Sequence, residues 1–208
     1  MSNRKVMDLM LINKILEKVN APHGLNSVYY SEQTEFENGE LVSLDISDLG
    51  ITKLPKDLFV GLTKIKKLHA SFNSIESLEK ETLAPLVDLE FVNLYGNNIG
   101  KVDDETFEKN EKIYWLDLRS NEIETLPKSI GGLKNLDYLF LQNNPLSSHQ
   151  DYDWASDFHS KREIGKFMPE FQEAMGLEVT MKKSLSRQEI AERELRKREA
   201  KKKKENSE

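Results

Sequence analysis

Residues 65–88 read IKKLHASFNSIESLEKETLAPLVD, and residues 113–135 read IYWLDLRSNEIETLPKSIGGLKN. Laid over one another, the two stretches carry apolar residues in the same places. The register extends outward: Leu41, Ile65, Leu89, Ile113 and Leu136 begin five units at steps of 24, 24, 24 and 23 residues. The fourth place holds Leu44, Leu68, Val92, Leu116 and Leu139, and the sixth Ile46, Ala70, Leu94, Leu118 and Leu141. The ninth is Leu49, then Asn73, Asn97, Asn121 and Asn144, and the eleventh is Ile51, Ile75, Ile99, Ile123 and Leu146. A second apolar block follows, with Leu54, Leu78, Val102 and Leu126, then Phe59, Leu83, Phe107 and Ile130. A fixed period of this length marks a repeat architecture.

The spacing has a physical reading. Places four and six alternate with three and five, the two-residue period of a short strand with one buried face. The chain then bends through the ninth place, where Asn tolerates unusual dihedrals and offers both a donor and an acceptor. Leu54-Pro55 and Leu126-Pro127 favour an extended return path on the opposite side. One unit cannot bury its apolar face alone, so stacked units share one core. The resulting pattern, LxxLxLxxNxIxxLPxxxFxxLxx, resembles the leucine-rich-repeat family with units of 23–24 residues, in an intracellular form without cysteine caps. The resemblance covers residues 41–148. It implies an α/β solenoid with a short, curved parallel sheet on its concave face, and a binding scaffold as the function. Leu49 stands where Asn is expected, as in a terminal unit. Asn110 stands where Leu62, Leu86 and Leu133 sit, which predicts a local irregularity on the convex side.

The solenoid's open ends need covers. Residues 1–40 form the N-terminal cap. Val6, Leu9, Met10, Ile12, Leu16 and Val19 suit one face of a helix, and Asn38-Gly39 marks a two-residue hairpin whose second strand is the first repeat strand. Residues 149–181 form a helical C-terminal cap carrying Trp154, Phe158, Ile164, Phe167, Met168 and Phe171, with Pro169 breaking or restarting its helix. Residues 182–208 form a charged helical tail that opens on a capping box of Ser186 and Glu189.

Charge separates tail from body. The chain of 208 residues carries 36 acidic and 30 basic side chains, a net −6, of which the tail from Lys182 holds +5 and the remainder −11. An acidic body is not the footprint of a dedicated nucleic-acid binder. Nucleic acid is expected only through the basic tail, and the alternative reading is a ribonucleoprotein or nuclear-complex subunit using that tail. There is no cysteine. That removes disulfide caps and thiolate chemistry and leads to a cytoplasmic expectation, with nuclear import through Lys201–Lys204 as its variant. Asp8 interrupts the N-terminal apolar run, so neither a signal peptide nor a membrane span is expected.

Chemistry is harder to find than surface. No phosphate loop, nucleophile elbow or zinc-spaced cluster occurs, so no enzyme, cofactor or metal is expected, and the chain is expected to be a monomer that binds another protein. The third, fifth and seventh places point out of the sheet. Across the units they bring Phe91, Tyr95, Trp115, Arg119, Tyr138 and Phe140 onto one concave patch, with His69, Asn93 and Asp117 at its rim. Aromatics beside Arg are the composition of binding hot spots.

Overall fold

The computed structural model describes residues 3–21, 28, 31–146 and 159–160. All of them lie in the first of two compact units, Met1–Leu177 and Glu178–Glu208. The expected capping box and the other tail features, as well as most of the C-terminal cap, lie outside the described residues.

The chain enters through helix α1 (Asn3–Lys18). Ile12, Ile15, Leu16 and Val19, at the three- and four-residue spacing of one helical face, are buried against the first unit. Met10, expected on that face, is 67% exposed, and Ile15 is the residue that faces inward. Lys18 Nζ donates to the Asp57 backbone oxygen at 2.7 Å and to its carboxylate at 2.9 Å, tying the helix end to the convex side.

Strands β1 (Glu35–Glu37) and β2 (Glu40–Asp45) form the hairpin. Asn38 and Gly39 carry φ of 50° and 86°. Two successive left-handed residues make the turn whose twist matches that of the strands, which is why Asn-Gly suits it. Four further strands, β3 (Lys67–His69), β5 (Phe91–Asn93), β7 (Trp115–Asp117) and β8 (Tyr138–Phe140), stack on β2 in parallel, giving the solenoid. Ser43, Lys67, Phe91, Trp115 and Tyr138 are register partners in turn, as are Asp45, His69, Asn93, Asp117 and Phe140. A final strand, β9 (His159–Ser160), pairs antiparallel with β8. Of the C-terminal cap, the described residues are these two, and the helical spacing read from Ile164 onward lies outside them. Short antiparallel strands therefore stand at both edges of the seven-stranded sheet, pairing the outer sides of β2 and β8 and leaving only brief edges of their own.

Behind the sheet the apolar places of every unit merge into one core, with Leu44, Leu68, Val92, Leu116, Phe59 and Phe107 all at most 1% exposed. Each such side chain contributes on the order of 1.5–3 kcal/mol through burial. On the return path, β4 (Ser77–Leu78) and β6 (Lys101–Val102) form a second, two-stranded parallel sheet. Asp103 N–H continues this pairing to the Leu78 oxygen at 3.0 Å. In the next unit that place is Pro127, which has no N–H to give, and the small sheet stops.

The Asn column bridges units, with Asn73, Asn97 and Asn121 buried and Asn144 half-buried. Asn97 Oδ1 accepts from Ile75 N–H at 3.1 Å, while its Nδ2 donates to the oxygens of Ala70 and Leu94 at 2.9 and 3.0 Å. Asn121 and Asn144 repeat this with Ile99 and Ile123. Asn73 accepts twice, from Leu49 and Ile51 N–H, each at 3.0 Å. The unusual dihedrals belong one residue earlier. Asp48, Phe72, Gly96, Ser120 and Asn143, the eighth places of the five units, all have positive φ of 52° to 67°. The left-handed residue turns the chain, and the Asn after it satisfies the backbone groups that the turn exposes.

Asn110 makes no irregularity. Its backbone N–H bonds to Phe107 O at 3.0 Å, just as Leu62, Leu86 and Leu133 bond to Phe59, Leu83 and Ile130 in the other units. Its amide, fully buried, donates to Leu83 O at 3.0 Å and Leu86 O at 2.8 Å. A side chain of nearly leucine size that finds two carbonyls in the preceding unit fits the leucine site.

Candidate partner-binding face

The sheet face opposite the core is divided into three zones. Over the first unit, residues 31–34 lie on the strand. Ser31 Oγ donates to the Asp45 carboxylate at 2.5 Å, Thr34 Oγ accepts from Asp45 N–H at 3.1 Å, and Ser43 Oγ donates to the Gln33 backbone oxygen. Ser43 is fully buried as a result. Burial raises the pKa of the Asp45 carboxyl, but hydrogen bonds from Ser31 and Ser47 outweigh it and hold the group below its ordinary value. Sequence gave no sign of this cover, because residues 31–34 have no apolar pattern of their own.

Aromatic rings occupy the later units in two tracks. In the first, His69 and Phe91 lie 4.9 Å apart between ring centres, Phe91 and Trp115 5.6 Å, and Trp115 and Tyr138 5.0 Å. This is the strand spacing transmitted to side chains. The second track runs beside it through Phe72 and Tyr95, edge to face at 5.0 Å, to Arg119, whose guanidinium lies 5.3 Å from the Tyr95 ring centre and 5.0 Å from that of Phe140. Phe140 also touches Trp115 at 4.8 Å, joining the tracks. Cation–π contact on two rings holds Arg119 across the face.

The named site residues do not all present themselves. Phe91, Tyr95, Trp115, Arg119 and Tyr138 are half-buried, with an accessible side. Phe140 is 6% and Asp117 3% exposed. Asp117 is spent locally: its carboxylate accepts from Arg119 N–H at 3.1 Å and from the guanidinium at 3.0, 3.1 and 2.6 Å. Asn93 likewise accepts from Tyr95 N–H at 3.0 Å. A short polar side chain two residues before a backbone donor satisfies that donor, and here it fixes the seventh-place residue. Asp117 positions Arg119. Asn93 positions Tyr95.

Phe72 was missed by reading strand places alone. It is 58% exposed, and its φ of 53° is one that a bulky side chain rarely adopts. The other eighth places hold Asp, Gly, Ser and Asn, all tolerant of that backbone. A Phe among them is the signal by which the sequence could have revealed it. The neighbouring Gly96 lets the ring lie flat, since a Cβ there would come within 3.2 Å of the ring.

Among the described residues no cluster of three or more metal-capable side chains occurs, and no helix is long and apolar enough to cross a membrane. The fold is a repeat solenoid of a kind that typically serves as a protein–protein interaction module. The chain belongs to the leucine-rich-repeat family: the model of the leucine rich repeat matches residues 39–99 and 92–146, just over half of it. Asporin of Bos taurus is 24% identical over 116 residues, covering 56% of this chain and 30% of asporin. Toll-like receptor 3 of Homo sapiens is 32% identical over 110 residues, covering 50% and 12%. The chain spans between 12% and 36% of the length of such curated relatives. The ectodomain of the Arabidopsis receptor kinase HAESA, solved with a peptide hormone ligand, superposes with a TM-score of 0.55 at 19% identity, covering 69% of this chain and 26% of that one.

These relatives overturn the cytoplasmic expectation. Asporin, lumican, the Toll-like receptors and the receptor-kinase ectodomains are extracellular or secreted leucine-rich-repeat domains, and they point away from the cytoplasm. The inference from missing cysteine failed for a physical reason. Helix α1 and β1 cover the N-terminal end of this solenoid through packing and backbone pairing, so an end can be covered without a thiol and cysteine usage does not report the compartment.

Proposed function

We propose that the chain is a non-enzymatic binding module whose protein partner docks on the concave face of the sheet, along both aromatic tracks. Phe91, Trp115 and Tyr138 anchor one line of contact, and Phe72, Tyr95 and Arg119 the other. His69, Asn93, Asp117 and Phe140 support the anchors from below or beside. The observation that carries this reading is Phe72, held exposed in a left-handed conformation that costs a bulky residue on the order of 1–2 kcal/mol. The core gains nothing from it. The peptide hormone bound by the HAESA ectodomain supports a protein or peptide ligand for this fold.

A photo-crosslinking residue placed at Phe91 tests the face directly. Benzoylphenylalanine at position 91 should form a covalent adduct with the partner in source-tissue extract, while the same residue at Val60, 67% exposed outside the repeat strands, should not. Adducts from position 60 alone would place the partner elsewhere. Phe72→Asn supplies a second expectation. Asn relieves about 1 kcal/mol of backbone strain and loses an aromatic contact worth about 0.5–1.5 kcal/mol, so the melting temperature should stay within a few degrees. Affinity for the crosslinked partner should fall about tenfold, since an anchor commonly contributes more than 1 kcal/mol.

A further inference from the structure

Beside the first aromatic track lies a cavity of about 360 Å³, lined by Glu32, Glu35, Lys67, His69, Phe91 and Tyr114 among others. The covering residues 31–34 form one wall and β3 and β5 the other. Its volume is at the small end for a ligand site and suits one long side chain better than a cofactor.

Polar character inside it is unspent. His69 is 8% exposed and lines the cavity, yet neither ring nitrogen makes a hydrogen bond among the described residues. Its polar atoms are therefore available to whatever enters the cavity. Burial keeps His69 below its ordinary pKa, against the pull of Asp45, so at neutral pH it offers a lone pair as well as an N–H. The one cation on the wall, Lys67 Nζ, sits 3.6 Å from the Glu35 carboxylate and is offset by it. Glu32 has no ion-pair partner among the described residues. The cavity therefore combines an exposed carboxylate without an ion-pair partner among the described residues, an imidazole without a hydrogen bond to them, and aromatic side walls, within a body carrying −11.

We infer that this cavity is a specificity pocket for an arginine side chain of the partner that the concave face binds. A guanidinium brings five donors in a plane and no acceptor. It can bond Glu32 and the His69 lone pair together, with its methylene stem along Phe91 and Tyr114. A carboxylate or phosphate would meet Glu32 and a neutral His69, with Lys67 already engaged. The inference rests on the concave-face reading for its partner, but its test needs no partner.

The probe is Nα-acetyl-arginine methylamide, titrated into the isotope-labelled full chain while the His69 ring signals are followed by NMR, assigned by their loss in His69→Gln. A saturable shift is expected with millimolar probe, none with Nα-acetyl-glutamate methylamide, and binding at least threefold weaker in Glu32→Gln. No saturable arginine shift, an equal response to the glutamate probe, or an unchanged affinity in Glu32→Gln would each overturn the pocket assignment. Because the probe is a single residue, failure here leaves the crosslinking at position 91 to decide the concave-face reading by itself.

Discussion

Asn73→Ala should destabilise the protein more than Asn97→Ala. The ordering follows from which groups are orphaned. When Asn97 loses its amide, Ala70 O keeps a bond from Asn73 Nδ2 at 3.2 Å, and Leu94 O keeps one from Asn121 Nδ2 at 3.0 Å. Only the Ile75 N–H is left buried without its acceptor, which costs on the order of 1–3 kcal/mol. Asn73 stands at the end of the ladder, with Leu49 before it where an Asn would stand. Its removal strands the N–H groups of both Leu49 and Ile51 and takes the side-chain donor from Ile46 O. The cost should be about twice as large, on the order of 3–5 kcal/mol. With about 2–4 °C per kcal/mol for a domain of this size, thermal melts should show Asn73→Ala lowest, Asn97→Ala between it and wild type. Equal midpoints for the two variants would mean that the ladder does not share its carbonyls as the geometry shows.

Much of the solenoid was legible because its physics is periodic. A two-residue alternation repeated every 24 residues leaves one solution, and the register partners Lys67, Phe91, Trp115 and Tyr138 fall in the column that spacing alone assigns. The Asn-Gly hairpin was legible for a different reason: few residue pairs accept two successive left-handed dihedrals. Features that depend on contact between segments stayed hidden. Nothing in Ser31, Gln33 and Thr34 announces that they cover the first unit's strand, and this cover creates the cavity at His69. Asn110 looked like a defect because a sequence pattern records apolarity, whereas its amide meets two carbonyls of the unit before it. The strand register follows from the alternation, and the surface it builds does not. Strand alternation shows which way Asp117 and Phe140 project, but not that Arg119 and Trp115 lie against them.

Trp115→Ala should leave the fold standing and remove most of the partner's affinity. Trp115 packs against Phe91, Tyr138 and Phe140 on the side of the sheet away from the repeat core. Losing those ring contacts costs about 0.5–1.5 kcal/mol each, a destabilisation comparable to that of Asn97→Ala and well short of unfolding a five-unit solenoid. Truncating a central aromatic anchor costs a partner about 2 kcal/mol or more, roughly thirtyfold in affinity. The matched stability loss makes Asn97→Ala the control, since its side chain is 6% exposed within the turn behind the face. The measurement is the affinity of both variants for the partner crosslinked at position 91, taken well below either melting temperature and with circular dichroism confirming the fold. Binding weakened about thirtyfold or more in Trp115→Ala, and within about twofold of wild type in Asn97→Ala, is the result expected of a partner seated on the aromatic face. Wild-type affinity in Trp115→Ala, or an equal loss in both variants, would contradict it.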